Sequence, residues 1–540
     1  MSVRYFAKLG KKGQALIVAY VVIVVFVVIA ASLLSKAINE RYISLRNKLN
    51  NEVFYLAEGG TENAISSFSS AIANYQILPD AESYDVQTAY TTFGGATVDS
   101  TVTRLEDSDR LILEGQTNVL ARNYEIISSA THPLNSSITV KLHQIVARRL
   151  IPTFQHVVFY SDDLEILPGA NMTLSGRVHC NKDIYVDAES GKVLTIDSLH
   201  FYSAGGIYNQ RKDSGAELAG EVSIRVNKSG SPKYEDMDNL DSKDPNWTTE
   251  AIDRWDGSVQ SAVHGVTKLT TPSVASIQPG GYYATQANVV IVNGELKKGG
   301  VTLTEGIDYP PGTITTAATL YNNREGKYIK TTDIDLKLLA GGTVGGKTYP
   351  NNLPSNGLLY ATRDDAGTYE PGIRLVNGTE IYRTGGLTVV SNDPVYIEGN
   401  YNTTNEKSTS VICDAINLLS NNWNDAKSTQ GLDSRTANTT TFNCALIAGI
   451  DKTTSGHYNG GLENYPRLHE NWSGIQLNIK GSFVALWNSK IATGAWEYGS
   501  PQYTAPIRNW IYNTDFNNTN KLPPFTPWAV EIQRIAWWKE

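Results

Sequence analysis

Three cysteines in 540 residues, Cys180, Cys413 and Cys444, are too few for a disulfide framework, and none forms the C-x-x-C pair of a zinc ribbon or thioredoxin-like site. Export to an oxidising compartment would permit a Cys413 to Cys444 bridge; a buried free thiol at each position is the other reading. Only 19% of the residues are charged, and the 46 basic residues are outnumbered by 54 acidic ones, for a net charge of −8. A chain without a basic excess lacks the phosphate-neutralising field that nucleic-acid binding rests on, so no nucleic-acid partner is expected. No H-E-x-x-H or G-x-S-x-G pattern occurs, and the eight histidines (His132, His143, His156, His179, His200, His264, His457 and His469) are scattered, which gives neither metal binding nor catalysis a foothold. The expectation is no enzyme and no cofactor. Proline is absent before Pro79, so nothing in that stretch interrupts a helix by its chemistry.

What is present begins with the run Ala15 to Leu34, 20 residues without a charge. At 1.5 Å per residue it matches the roughly 30 Å of a bilayer core. A secretory signal has a shorter apolar core of roughly 7–15 residues, although Ala30-Ala31-Ser32 loosely fits a cleavage site. Beyond the run, Ile38, Tyr42, Leu45, Leu49, Val53, Leu56, Ala57, Ala64, Ile65, Phe68 and Ile72 recur at mostly three- and four-residue steps, with charged residues between them. That spacing predicts an amphipathic helix continuing the apolar one, with Gly59-Gly60 as a soft point able to kink it. Four basic residues precede the run (Arg4, Lys8, Lys11, Lys12) and four follow it closely (Lys36, Arg41, Arg46, Lys48), so the positive-inside count is a tie.

The segments GKKGQALIVAYVVIVVFVVIAASLL and NEVFYLAEGGTENAI together resemble the PilX-type N-terminal region of type IV pilus assembly proteins. The resemblance spans about residues 8–75 and rests on the Gly-ended basic leader, the apolar opening, and the helix-end element Phe54, Ala57, Glu58, Gly59 and Gly60. It implies removal of a leader, residues 1–13, by a prepilin peptidase between Gly13 and Gln14. It also implies insertion in inner-membrane lipid with the head in the periplasm or outside the cell, and packing against other pilin or pseudopilin subunits. Val18 stands where major pilins of the family carry glutamate, which points to a minor or tip subunit of a pilus or a type II secretion-type filament. The alternative is a membrane-anchored adhesin, or carbohydrate-binding protein, that never enters a filament.

The remainder reads as β structure, giving an α+β chain: a helix over 14–78, a small β-rich region over 79–155 laid against it, and a β-rich head over 156–540. In the head, short apolar strands such as LEILPGANMTLSGRVHCNKDIYV alternate with Gly, Asn and Asp turns without a strict period. A β-solenoid is expected, with a β-sandwich as the other possibility. Its C-terminal blocks, among them GGLTVVSNDPVYIEGNYNT and KLPPFTPWAVEIQRIAWW, resemble the uncharacterised C-terminal region of large PilX-like proteins, which implies no chemistry.

Two motifs tempt a chemical reading. Gly341-Gly342-Thr343-Val344-Gly345-Gly346-Lys347-Thr348 satisfies G-x-x-x-x-G-K-[ST], but Pro350 and Pro354 occupy the place of the helix that a phosphate loop must enter, so a glycine-rich turn is expected. Asp236, Asp238, Asp241 and Asp244 have spacings that could hold calcium, but lack the glycine and terminal glutamate of an EF-hand loop. A solenoid could also gather catalytic carboxylates from different rungs; a structure without such a groove would remove that possibility. Eight of the ten tryptophans (Trp423, Trp472, Trp487, Trp496, Trp510, Trp528, Trp537 and Trp538) lie after residue 420, as core or as stacking surface for a surface polysaccharide.

Overall fold

The computed structural model describes residues 11–91, 94–114, 117–228, 231–496 and 502–540. One long helix, α1 (Lys11–Ala73), is followed by a large β-rich region with a few short helices. The helix runs unbroken through Gly59-Gly60, where the sequence suggested a soft point. It stops where Tyr75 takes a φ of 58° and the amides of Gln76 and Ile77 turn back to the carbonyl of Ala71, a left-handed reversal that satisfies the last turn.

The second half of α1 lies on an antiparallel sheet of β1 (Ser83–Tyr90), β2 (Ala96–Arg104), β4 (Thr117–His132) and β5 (Asn135–Pro152), with β3 (Arg110–Glu114) paired to β4. Alternating burial along β2 and β4 marks the covered face. Ala64, Phe68 and Ile72 of the helix meet Val102, Tyr124, Ile126, Val146 and Leu150 of the sheet there. Full burial of Phe68 alone contributes about 2 kcal/mol.

The outer edge of this sheet is closed by the last strand of the chain, Trp528–Lys539, antiparallel to β5 from Trp528↔Pro152 to Lys539↔Leu142. The head is therefore an insertion between β5 and the C-terminal strand, and the strand that sequence boundaries assign to 156–540 sits on the sheet of 79–155.

Within the head, neighbouring strands pair mostly in parallel. Val158, Val178 and Phe201 stand side by side, as do Leu164, Ile184 and Ile207, and Met172, Leu194 and Val222. Each step is roughly twenty to thirty residues, so successive passes of the chain lie on one another. A second run alternates between two ladders: Leu358–Thr362, Leu387–Val390, Thr409–Cys413, Thr440–Ala448 and Gln476–Ala485 in one, and Glu370–Val376, Val395–Glu398 and Ile416–Leu419 in the other. The runs meet where Phe483, Val484 and Ala485 pair with Val158, Phe159 and Tyr160. Parallel pairing is not that of an antiparallel β-sandwich. The inner strip is apolar, with Val389, Val411, Leu446 and Phe483 all inaccessible.

Candidate assembly surface

Along α1 the environment changes abruptly. From Gln14 to Lys48 nearly every residue is exposed, and Val18, at 62% exposure, lies on this bare stretch with Leu16, Tyr20 and Phe26. One described helix is long and apolar enough to cross a membrane, and this is it. Gly13 and Gln14 lie near its start; residues 1–10 of the expected leader fall outside the described residues. The amphipathic stripe begins earlier than its cover. Ile38, Tyr42 and Leu45 are more than half exposed, whereas Val53, Leu56 and Ala57 are buried against the sheet.

The helix-end element is the docking contact itself. Ala57 is buried, and a β-carbon on Gly60 would collide with Val98 Cγ1 and Ser128 Oγ, while one on Gly59 would collide with the Tyr90 hydroxyl. The two glycines let helix and sheet approach more closely than any side chain allows. Glu58 points away, at the rim of a recess of about 110 Å³ between Phe54, Trp537 and Arg534. Phe54 packs on Trp537 with ring centroids 6.4 Å apart. Flanking polar contacts fix the register: a hydrogen bond between Glu52 and His132 Nε2 at 3.1 Å and an ion pair between Glu62 and Arg534 at 2.5 Å.

At the far end, α1 is tied to the head. The Tyr75 ring stacks on Tyr282 at 3.7 Å, and its hydroxyl meets that of Tyr283 at 3.1 Å. Ser69 Oγ donates to Thr270 Oγ1 at 2.8 Å, and the Ser273 amide donates to Asn74 Oδ1. Burial pushes the Tyr75 and Tyr283 phenols up, so both stay protonated. These partners, like Arg534 and Trp537, escape sequence reading because they lie hundreds of residues from the helix; the closing Trp537-Trp538 pair was the one local signal.

The tempting motifs resolve into structure. Gly345 and Gly346, both with positive φ, form the turn of a hairpin joining Gly342–Val344 to Lys347–Tyr349, and Lys347 Nζ donates to the carbonyls of Gly306 and Ile307. The Asp241 carboxylate caps the amides of Asn209 and Lys243, and Asp244 that of Asn246. Among the described residues no group of three or more His, Cys, Asp or Glu is placed to hold a metal. All three cysteines are free and buried. Cys413 lies opposite Ala448, four register positions from Cys444, which exceeds the roughly 7 Å Cα limit for a bridge. Trp472 and Trp510 are buried, while Trp537 and Trp538 stay exposed.

Two groupings were invisible in the sequence. His156, His179 and His200, read as scattered, come together with ring centroids 6.0 to 6.5 Å apart. A polar groove of about 460 Å³ holds Asp333, Glu398 and Asp425, all bonded to the buried Arg374 at 2.6 to 3.0 Å. The absence of convergent carboxylates that would have removed a polysaccharide-cleaving enzyme is thus not met.

No protein-family model matches the chain, and no curated protein sequence matches it. Among solved structures, the competence-associated pilin ComZ from Thermus thermophilus aligns with 8% identity over 91% of this chain and 98% of that one, at a TM-score of 0.25. A TM-score of that size does not establish a common fold.

Proposed function

We propose that the chain is a minor pilin-like subunit, cut between Gly13 and Gln14, that carries a large β-solenoid-like head into a type IV pilus or type II secretion-type filament. The observation that carries this reading is the division of α1. Its first half is bare and apolar, its second half is clamped to the sheet, and the stripe of Ile38, Tyr42 and Leu45 runs on past the last covering strand. A simple anchor needs only the twenty uncharged residues. A helix that must pack among other helices after leaving the membrane needs the uncovered stripe as well.

Val18 in place of an acid, together with the bulk of the head, favours a tip or otherwise singular position over repetition along the shaft. The docked glycine pair on the sheet and the Tyr75 contacts with Tyr282 and Tyr283 keep helix, sheet and head one unit while the exposed half changes surroundings from lipid to protein. In this reading the chain acts by assembly and surface contact, without catalysis or nucleic acid. The carboxylates around Arg374 are held in ion pairs and do no chemistry; loss of a polysaccharide-degrading activity in a Glu398→Gln variant would contradict that.

Cysteine cross-linking tests the assembly step. With cysteines at Ile38 and Leu45, oxidation of sheared filaments yields covalent adducts to other subunits through α1. An unadducted monomer confined to the membrane fraction would favour the anchored adhesin.

A further inference from the structure

Between the first sheet and the head lies a two-lobed recess, one lobe of about 720 Å³ and the other about 220 Å³, with Glu114, Arg177, His200 and Tyr202 lining both. The larger lobe falls in the roughly 300–1,000 Å³ range of small-ligand sites. Arg177 and His200 hold equivalent places in successive rungs, each one residue before the paired Val178 and Phe201.

The charges here are unevenly matched. Glu114 and Glu531 both pair with Arg149, and Asp197 pairs with Arg225 at 3.0 Å. Among the described residues no carboxylate pairs with Arg177. Its Nη1 donates to Thr117 Oγ1, and its Nε has no hydrogen-bond partner. His200 Nε2 is likewise without one. Burial lowers the basicity of Arg177 to about 10, so it stays charged at neutral pH. Burial and then the Arg177 charge push His156 and His200 well below the usual imidazole range; burial holds His179 at about 4, leaving all three neutral.

An unpaired guanidinium is a planar fork for a carboxylate. Beside it His200 and Tyr202, stacked on each other with 3.7 Å between centroids, line the lobe, and Ser175, Ser198 and Asn517 bring hydroxyl and amide groups to it. Arg149 and Arg225 already hold the three carboxylates, which leaves Arg177 as one cation, matched to a single carboxylate and not to a phosphate dianion.

We propose that this recess binds a carboxylate-bearing saccharide of the uronic-acid class, its acid on Arg177 and its ring against His200 and Tyr202. The site lies within one chain, so it stands or falls independently of filament assembly.

Calorimetric titration of the full chain in detergent tests this, with digalacturonate and polygalacturonate as probes and glucose and acetate as controls. Digalacturonate binds, glucose and acetate give no measurable heat, and Arg177→Gln weakens binding at least tenfold. Leu199→Trp, which fills the mouth from a half-exposed position, does the same without lowering the melting temperature, separating site loss from misfolding. Equal affinity per repeat for both probes supports a free sugar acid as ligand; at least tenfold tighter binding of the polymer supports a surface polysaccharide. No binding at millimolar digalacturonate, equal binding of glucose, or full affinity in both variants would overturn the proposal.

Discussion

Gly60 of α1 sits so close to Val98 of β2 that no β-carbon fits between them. Alanine in an exposed mid-helix position ordinarily stabilises by about 1 kcal/mol relative to glycine. Overpacking costs roughly 1–3 kcal/mol. Gly60→Ala is therefore expected to lower stability by about 1 kcal/mol net, and Gly60→Leu by more, in urea unfolding followed by circular dichroism. A rise in stability for Gly60→Ala would show that the helix does not dock as described.

Removal of the C-terminal strand is a stronger perturbation. Truncation after Pro527 bares the β5 edge from Leu142 to Pro152 and uncovers Val146 and Leu150. An exposed long edge of this kind associates with other chains. The truncated protein is expected to aggregate on purification, as light scattering would show; a monodisperse, fully folded product would contradict the insertion topology.

Arg374 neutralises a cluster that otherwise repels itself. Replacement by methionine leaves Asp333, Glu398 and Asp425 together with no cation, and breaking a buried pair in this way costs on the order of 3–5 kcal/mol. The loss should shrink when Asp333→Asn is added to Arg374→Met, since one charge then disappears. Additive losses in the double variant would argue against a shared network.

Stability should depend on pH in two opposing limbs. Burial raises Glu165, Glu370, Glu463, Glu470 and Asp393 to about 7. The native chain keeps protons that the unfolded chain releases above its ordinary carboxylate pKa of roughly 4. Their contribution is therefore full below roughly pH 4, declines as pH rises from there, and is lost once pH passes about 7. Burial holds His179 at about 4 and His469 at about 3, so their contribution is full above the ordinary imidazole value and is lost as pH falls toward those values. Glu463→Gln should flatten the fall in stability from acid to neutral pH by on the order of 2–3 kcal/mol between pH 5 and pH 8. Unchanged pH dependence in that variant would contradict its burial as an acid.

How much of this was legible depends on how local the physics is. The helix could be read because its signal is a three- and four-residue period with no proline before Pro79. The turn at Gly345-Gly346 could be read because turn chemistry is local too; the two short strands it joins could not. The head's order could not: its ladders join residues such as Phe483 and Val158, and the loops between passes vary too much for a period to show. The same non-local pairing hid the His156, His179 and His200 grouping, the carboxylates on Arg374, and the return of the last strand to β5. Gly59-Gly60 suggests a kink and is instead a close contact, because a sequence shows that glycine loosens a helix and not what lies opposite it.

The central claim is that α1 is a processed pilin-type helix, and the mature N-terminus tests it most directly. Mass spectrometry of the protein from its native membrane is expected to find a chain beginning at Gln14. A chain beginning at Met1, or near Ser32, would contradict it.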